Sequence, residues 1–259
     1  MNHGYYAMLL AAGLFGGMMV MLELGRRLGD RFEQLDPQGA HTGTGPVEGA
    51  VFALLGLLVA FSFSGAAARF DARRHLIVEE ANAIGTAYLR VDLAAPSAQP
   101  ALRDRFRRYV DSRLEAYRLL PDLNAAHAAL ERAGQLQAEI WSTSLAACRD
   151  AAPPSCAILL PPALNAMIDI TTTRTAAARM HPPAVILWLL CGLGLGCALL
   201  AGYSTATGTR RKWTHMLAFA AVMALTVYVI IDLEFPRLGF IRVDAFDQVL
   251  VDVRTSMDH

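Results

Sequence analysis

Four windows of the chain are almost free of charge: Tyr5 to Gly25, Val47 to Ala68, Pro183 to Tyr203 and Trp213 to Ile231. Each holds roughly 20 mostly apolar residues, about what a helix rising ~1.5 Å per residue needs to cross ~30 Å of hydrocarbon. They predict four transmembrane helices. Between the second and third windows the pattern changes. Leu102, Phe106, Tyr109, Val110, Leu114, Tyr117 and Leu120 recur at spacings of three and four, with charges on the other face, which is an amphipathic helix in water. Breaks at "APSAQP", at Pro121 and at "CRDAAPPSC" divide this region into helices from Arg69 to about Leu93, Pro100 to about Leu120, Leu123 to about Ala147 and Pro161 to about Met180. No strand pattern and no internal repeat is visible.

The predicted fold is an all-α membrane protein of four spans, with a helical extramembrane domain between the second and third. Its expected parts are a first helix pair (1–68), the extramembrane domain (69–182), a second helix pair (183–235) and an amphipathic tail (236–259). The stretch "ALLGLLVAFSFSGAAARFDARRHL" joins the first two parts. Nothing between Val47 and Leu93 breaks a helix, so the second span is expected to leave the bilayer near Arg69 and continue into water as one rod. On the rod, Leu76, Ile77, Ile84 and Tyr88 form a packed stripe, and Arg73, Glu79, Glu80 and Arg90 face solvent or one another.

Composition supports this reading: of 259 residues, 54% are hydrophobic and 18% charged. The 23 basic and 23 acidic residues cancel, which gives no pull toward nucleic acid. The partners expected are a lipid bilayer and further copies of the chain. No positive charge precedes the first apolar window, so it reads as a retained span rather than a signal peptide. Arg26, Arg27 and Arg31 follow it, and Arg210, Arg211 and Lys212 lie in the short link between the last two spans. The positive-inside rule puts both groups in the cytoplasm and the middle domain on the periplasmic side of a bacterial inner membrane. Cys148 and Cys156 fit that side, as a disulfide or as two thiols. Arg69, Arg73, Arg74, Arg174 and Arg179, at the membrane ends of the large domain, argue for the opposite orientation.

The second and fourth spans run in the same direction. Arg69, Arg73 and Arg74 therefore emerge on the same side as Asp232 and Glu234, either as ion-pair partners or solvated separately in the headgroup layer. Small residues form rows: Gly49, Ala53, Gly56, Ala60, Ser64 and Ala67 in the second span, and Gly192 with Gly196, and Gly194 with Ala198 and Gly202, in the third. Such rows let helices approach closely in lipid. Ala53, Leu57 and Phe61 stand one turn apart on the second span, as a lipid- or protein-facing row or as an apolar constriction that gates by dewetting. The span serines, Ser62 and Ser64, are of the type that bonds its own helix backbone. No phosphate-cradling glycine loop, HExxH or paired CxxC occurs, and the seven histidines are scattered, so neither an enzyme nor a metal or cofactor site is expected.

The stretch "LVAFSFSGAAARFDARR" resembles the second membrane helix of bestrophins at Ala60, Phe61, Arg69, Phe70, Arg73 and Arg74. "RMHPPAVILWLL" and "IDLEFPRLGFIRVDAFDQVLVDV" echo the bestrophin segments at the third span and after the fourth. Over most of its length the chain is similar to the bacterial bestrophin-like membrane proteins, through "ALLGLLVAFSFSGAAARFDARRHLIVEEANAIGTAYLR" and "DLEFPRLGFIRV". The resemblance implies a pentameric anion channel whose second spans surround the pore. Carried across, the neck is Ala53, Leu57 and Phe61, and Arg69, Arg73 and Arg74 concentrate inorganic anions at one mouth. Two departures stand out. The tryptophan-rich acidic signature is reduced to Phe70 and Asp71, with no recognisable calcium clasp. Bestrophins also hold this domain in the cytoplasm. The alternative is a non-conducting scaffold or sensor whose extramembrane helices bind a partner or ligand.

Overall fold

The structure is a computed structural model that describes residues 3–35, 44–149, 153–206 and 213–258. Arg210, Arg211 and Lys212, which carry part of the expected sidedness, lie outside the described residues, as do His41 and His259. Among the described residues the regular elements are all helical: α1 (His3–Leu35), α2 (Thr44–Leu89), α3 (Gln99–Arg118), α4 (Leu123–Arg149), α5 (Pro154–Arg179), α6 (Ala184–Ser204), α7 (Trp213–Glu234) and α8 (Gln248–Ser256). Short 3-10 turns occupy Arg90–Leu93 and Asp244–Asp247. Among the described residues, four helical stretches are long and apolar enough to cross a membrane. The chain divides into two compact units, Met1–Ala68 with His181–Phe235, and Arg69–Met180 with Pro236–His259.

Two helices differ from the expected lengths. α1 continues past Gly25 to Leu35. Beyond the apolar window its turns are stitched by Arg27 Nε to Glu23 at 2.9 Å and Arg26 Nη1 to Asp30 at 2.8 Å, pairs at the spacing that supports an exposed helix. α5 begins at Pro154 rather than Pro161, and Pro161 and Pro162 lie inside it. A proline in the first turn costs no hydrogen bond, whereas the internal pair removes two donors. Burial of Cys156 and Leu160 ahead of them offsets that loss.

In the first unit α6 and α7 both pack on α1. The α1–α6 contact is backbone on backbone. A Cβ at Gly25 would lie 2.0 Å from the Leu199 carbonyl oxygen, and one at Gly202 would lie 2.1 Å from that of Leu22. Lipid tails supply no hydrophobic drive between helices, so close approach and dispersion must hold this pair. Gly202 belongs to a small-residue row expected from the sequence, but Gly25 does not. Gly49, Gly56, Gly192 and Gly196 have nothing within 4 Å of a built Cβ. α2 reaches α7 through Phe52, whose ring lies edge-on to Phe219 at 6.0 Å. The outward faces carry large apolar side chains, among them Leu9, Val20, Leu54, Trp188, Val222 and Leu225. Such a surface suits hydrocarbon or another protein rather than water.

In the second unit, Ile77, Ile84 and Val91 from the α2 stripe and its extension meet Leu102, Phe106 and Tyr109 of α3, Ile140 of α4 and Leu160, Leu164 and Met167 of α5. Tyr88 stands edge-on to Phe106 at 5.7 Å. α8 closes the core with Leu250 and Met257. The Met257 carbonyl, an orphan acceptor past the end of α8, takes bonds from Tyr88 Oη at 2.9 Å and Arg107 Nη2 at 2.7 Å.

The glycine contacts generate a stability prediction. Gly25→Ala or Gly202→Ala must push α1 and α6 apart and costs on the order of 1–3 kcal/mol. Gly192→Ala, with room for its methyl group, is neutral or gains up to about 1 kcal/mol of helix propensity. Denaturant unfolding in detergent compares them; equal effects at all three sites would refute the close-contact account.

Candidate functional site

α2 is a single helix with two kinds of surface. In its apolar part Ala53, Leu57 and Phe61 lie in one exposed row, with Phe61 67% and Leu57 52% exposed, while Leu55 and Ala66 are buried on another face. Eight residues after Phe61 the helix reaches Arg69, and the buried face continues through Arg73, Ile77, Glu80, Ala81 and Ile84 at spacings of three and four. Of the two expectations, that Arg73 and Glu80 face solvent or one another, the first is corrected here: both are buried, because they share the stripe that meets the bundle. Glu79 is exposed as expected. Arg90 donates to the Leu159 carbonyl at 2.7 Å.

Arg73 caps α5. Its Nη2 donates to the Met180 carbonyl at 2.9 Å and its Nε to that of Ala177 at 3.2 Å. A cation there meets both the orphan acceptors and the negative end of the helix dipole. Arg74 bonds Asp71 at 2.9 Å and lays its guanidinium over the Phe246 ring, 4.1 Å from the centroid. Arg69 is half-buried. Tyr228 Oη donates to Asp232 at 3.3 Å, while Glu234 lies 3.6 Å from His181 Nδ1, whose ring stacks on Phe235. The Thr226 hydroxyl bonds its own helix at the Val222 carbonyl, but the buried Ser62 hydroxyl has no hydrogen-bond partner among the described residues. The sulfurs of Cys148 and Cys156 are joined, with Cα atoms 5.4 Å apart, tying the end of α4 to the first turn of α5.

Two turns beyond Arg73 lies a buried charge network absent from the sequence expectations. Glu80 has no solvent exposure. One carboxylate oxygen accepts from Arg113 Nε of α3 at 2.7 Å, and the other accepts from Arg174 Nη1 of α5. Arg113 Nη2 also donates to Tyr117 Oη at 2.7 Å. The Tyr117 ring has the guanidinium of Arg174 at 4.3 Å and that of Arg237 at 4.1 Å. Arg237 holds Asp247 bidentately at 2.7 and 2.8 Å, and Arg174 Nη2 lies 3.5 Å from the same carboxylate. Burial by itself would raise the Glu80 pKa, but the charges and hydrogen bonds of Arg113 and Arg174 outweigh it and hold Glu80 below the usual carboxylate range. Burial raises the Tyr117 pKa and keeps its hydroxyl neutral. Among the described residues no three His, Cys, Asp or Glu side chains gather as metal ligands.

One signal in the sequence points to these residues. Glu80 falls between Ile77 and Ile84, Arg113 between Val110 and Tyr117, and Arg174 three residues beyond Thr171, each in step with an apolar stripe. An ionisable side chain in that register is either misplaced or paired.

Four apolar helices, one of which runs on unbroken into a helical bundle that it helps to form, define a multi-pass, all-α membrane protein. Residues 6–245 match the bestrophin-like domain, and the chain belongs to the bestrophin-like family. Among solved structures it shares its fold with a bacterial bestrophin homolog from Klebsiella pneumoniae. One variant of that protein aligns at 12% identity and a TM-score of 0.66 over 95% of this chain and 99% of the other. A second aligns at 14% identity and 0.60 over 92% and 98%. No curated protein sequence matches the chain.

Removing Glu80 leaves two buried guanidiniums uncompensated. Glu80→Gln is expected to cost about 3–5 kcal/mol. The Glu80 pKa is lowered on folding, so its contribution is full above the unfolded value of about 4.3 and is lost as pH falls through the folded value. Thermal unfolding between neutral and acid pH should show a lower midpoint for the variant at neutrality and a smaller further drop in acid. Parallel curves for the two proteins would remove Glu80 from this role.

Proposed function

We propose that the protein is an oligomeric ion channel, selective for anions, with α2 lining the pore. The observation that carries this reading is the exposed row Ala53, Leu57 and Phe61, on a helix whose apolar part its own chain buries only at Leu55 and Ala66. In an assembly around an axis, a pentamer by the bestrophin resemblance, that row becomes the neck. A ring of phenylalanines narrows such a neck and makes it dewet, which blocks ions until it widens. Arg69, Arg73 and Arg74 stand on the same helix beyond the neck and raise the local anion concentration at the mouth. Arg73 and Arg74 are also engaged, by the α5 carbonyls and by Asp71 and Phe246. Asp232 and Glu234 remain proposed partners of this arginine group, on span direction alone.

The membrane is proposed to be a bacterial inner membrane, with the extramembrane unit in the periplasm. Arg26, Arg27 and Arg31 after the first span and the Cys148–Cys156 pair support this side. In intact spheroplasts a membrane-impermeant reductant should expose two thiols to alkylation in that unit. Protection until the cells are lysed would reverse the topology.

Halide flux into liposomes tests conduction. Parent protein should conduct, and Phe61→Ala should conduct at least several-fold faster. No flux from either protein, both folded and oligomeric, would replace the channel with a membrane scaffold or sensor whose extramembrane helices bind a partner.

A further inference from the structure

The buried network sets three guanidiniums against two carboxylates, and the less buried of the two carboxylates lies on a segment that is mostly part-buried or exposed. Among the described residues, the carboxylates that Arg113, Arg174 and Arg237 meet in buried or near-buried pairs are Glu80 and Asp247. Asp244, the other carboxylate near Arg237, is half-exposed and 3.5 Å away. Within the network the two carboxylates are not equivalent. The Glu80 side chain is 0% exposed and gripped by two helices, whereas that of Asp247 is 15% exposed and ends a single 3-10 turn. In the segment from Pro236 to Asp247 only Pro236 and Val243 are buried. Val243 enters the hydrophobic core and Phe246 packs against it, while the bidentate Arg237–Asp247 pair adds a charge-assisted anchor at the end of the turn.

We propose that Asp247 is an exchangeable internal ligand of an arginine clamp formed by Arg174 and Arg237 on the Tyr117 ring, and that a soluble oxyanion such as inorganic phosphate takes its place. The clamp has the chemistry for this. Two planar guanidiniums lie against one aromatic ring, which orients them while leaving their N–H edges for acceptor oxygens. Arg237 already shows that edge satisfied bidentately by a carboxylate, and phosphate presents the same geometry with more charge. Arg174 directs one nitrogen at Glu80 and reaches Asp247 only at 3.5 Å, so that second position is the looser one.

Exchange at Asp247 has a consequence at α2. Phe246, the preceding residue, lies under the Arg74 guanidinium at 4.1 Å. If Asp247 leaves, the turn that places Phe246 loses its charge-paired anchor and is held by its apolar contacts alone, which loosens the Arg74 contact. The turn Asp244–Asp247 is thus a latch between oxyanion concentration and the arginine group on α2. Its effect on conduction rests on the channel reading, but oxyanion binding and movement of the turn do not.

The test uses the full chain in detergent, with phosphate compared against chloride at constant ionic strength. Amide exchange at the turn, including the Phe246 amide bonded to the Val243 carbonyl, should accelerate several-fold with phosphate. Exchange in α3 and α5 should not. In Asp247→Ala the vacated clamp should bind phosphate directly, raising that variant's unfolding midpoint more than the parent's, and Arg237→Gln should abolish both responses. Turn exchange indifferent to phosphate in the parent overturns the latch even if the variants fail to fold. A midpoint in Asp247→Ala that responds equally to chloride and phosphate overturns the clamp. Neither result depends on whether the liposomes conduct.

Discussion

A carboxylate that has no contact with water must be paid for by its partners, and Glu80 is held by two guanidiniums from two different helices. That arrangement fixes much of the extramembrane unit. α2 enters the bundle on a stripe where Ile77 and Ile84 could pack against almost any apolar surface. Glu80 accepts only a position where Arg113 of α3 and Arg174 of α5 converge, so it specifies rotation and register in a way the neighbouring isoleucines do not. Apolar area supplies the driving force, while the charges supply directionality at a desolvation cost that only a complete set of partners offsets.

The membrane unit meets its own constraint by different chemistry. There α1 and α6 touch through backbone at Gly25 and Gly202, where side chains have been removed rather than paired. The difference follows from solvent. In water the bundle gains from burying Leu102, Phe106 and Leu164, and can carry a costly polar lock because the hydrophobic term is large. In lipid no such term operates between helices, so shape complementarity carries the association. α2 belongs to both regimes, and the change occurs near Arg69 without a break in its hydrogen bonding.

The parts legible in the sequence were those governed by periodicity and by breaks. The four spans, the unbroken α2 and the amphipathic face of α3 follow from apolar spacing and from the positions of proline and glycine. α5 starts earlier than the break at "CRDAAPPSC" suggests, because Pro154 fills the first turn and the pair Pro161 and Pro162 is tolerated inside a packed helix. The exposed row at Ala53, Leu57 and Phe61 was visible as spacing, but spacing alone does not say which face of a membrane helix is left uncovered. The network was missed for a more general reason. By residue type Glu80 is expected to face solvent or another charge and Arg174 a membrane end of the domain, and Arg113 carries no separate expectation, whereas their register puts all three on the buried face. Arg237 and Asp247 could not have been joined to them, since the pairing depends on tertiary packing between segments far apart in the chain.

Helix α2 therefore couples two demands that are usually separate. Its row at Ala53, Leu57 and Phe61 is left uncovered by its own chain, so its surroundings are set by lipid or by another subunit. Its buried face below Arg69 is over-determined, with Arg73 capping α5 and Glu80 locked between two arginines. Thr44–Leu89 is one unbroken helix, in which each residue's direction is fixed relative to the next by continuous backbone hydrogen bonds, so one backbone sets the spacing of both the uncovered row and the packed stripe.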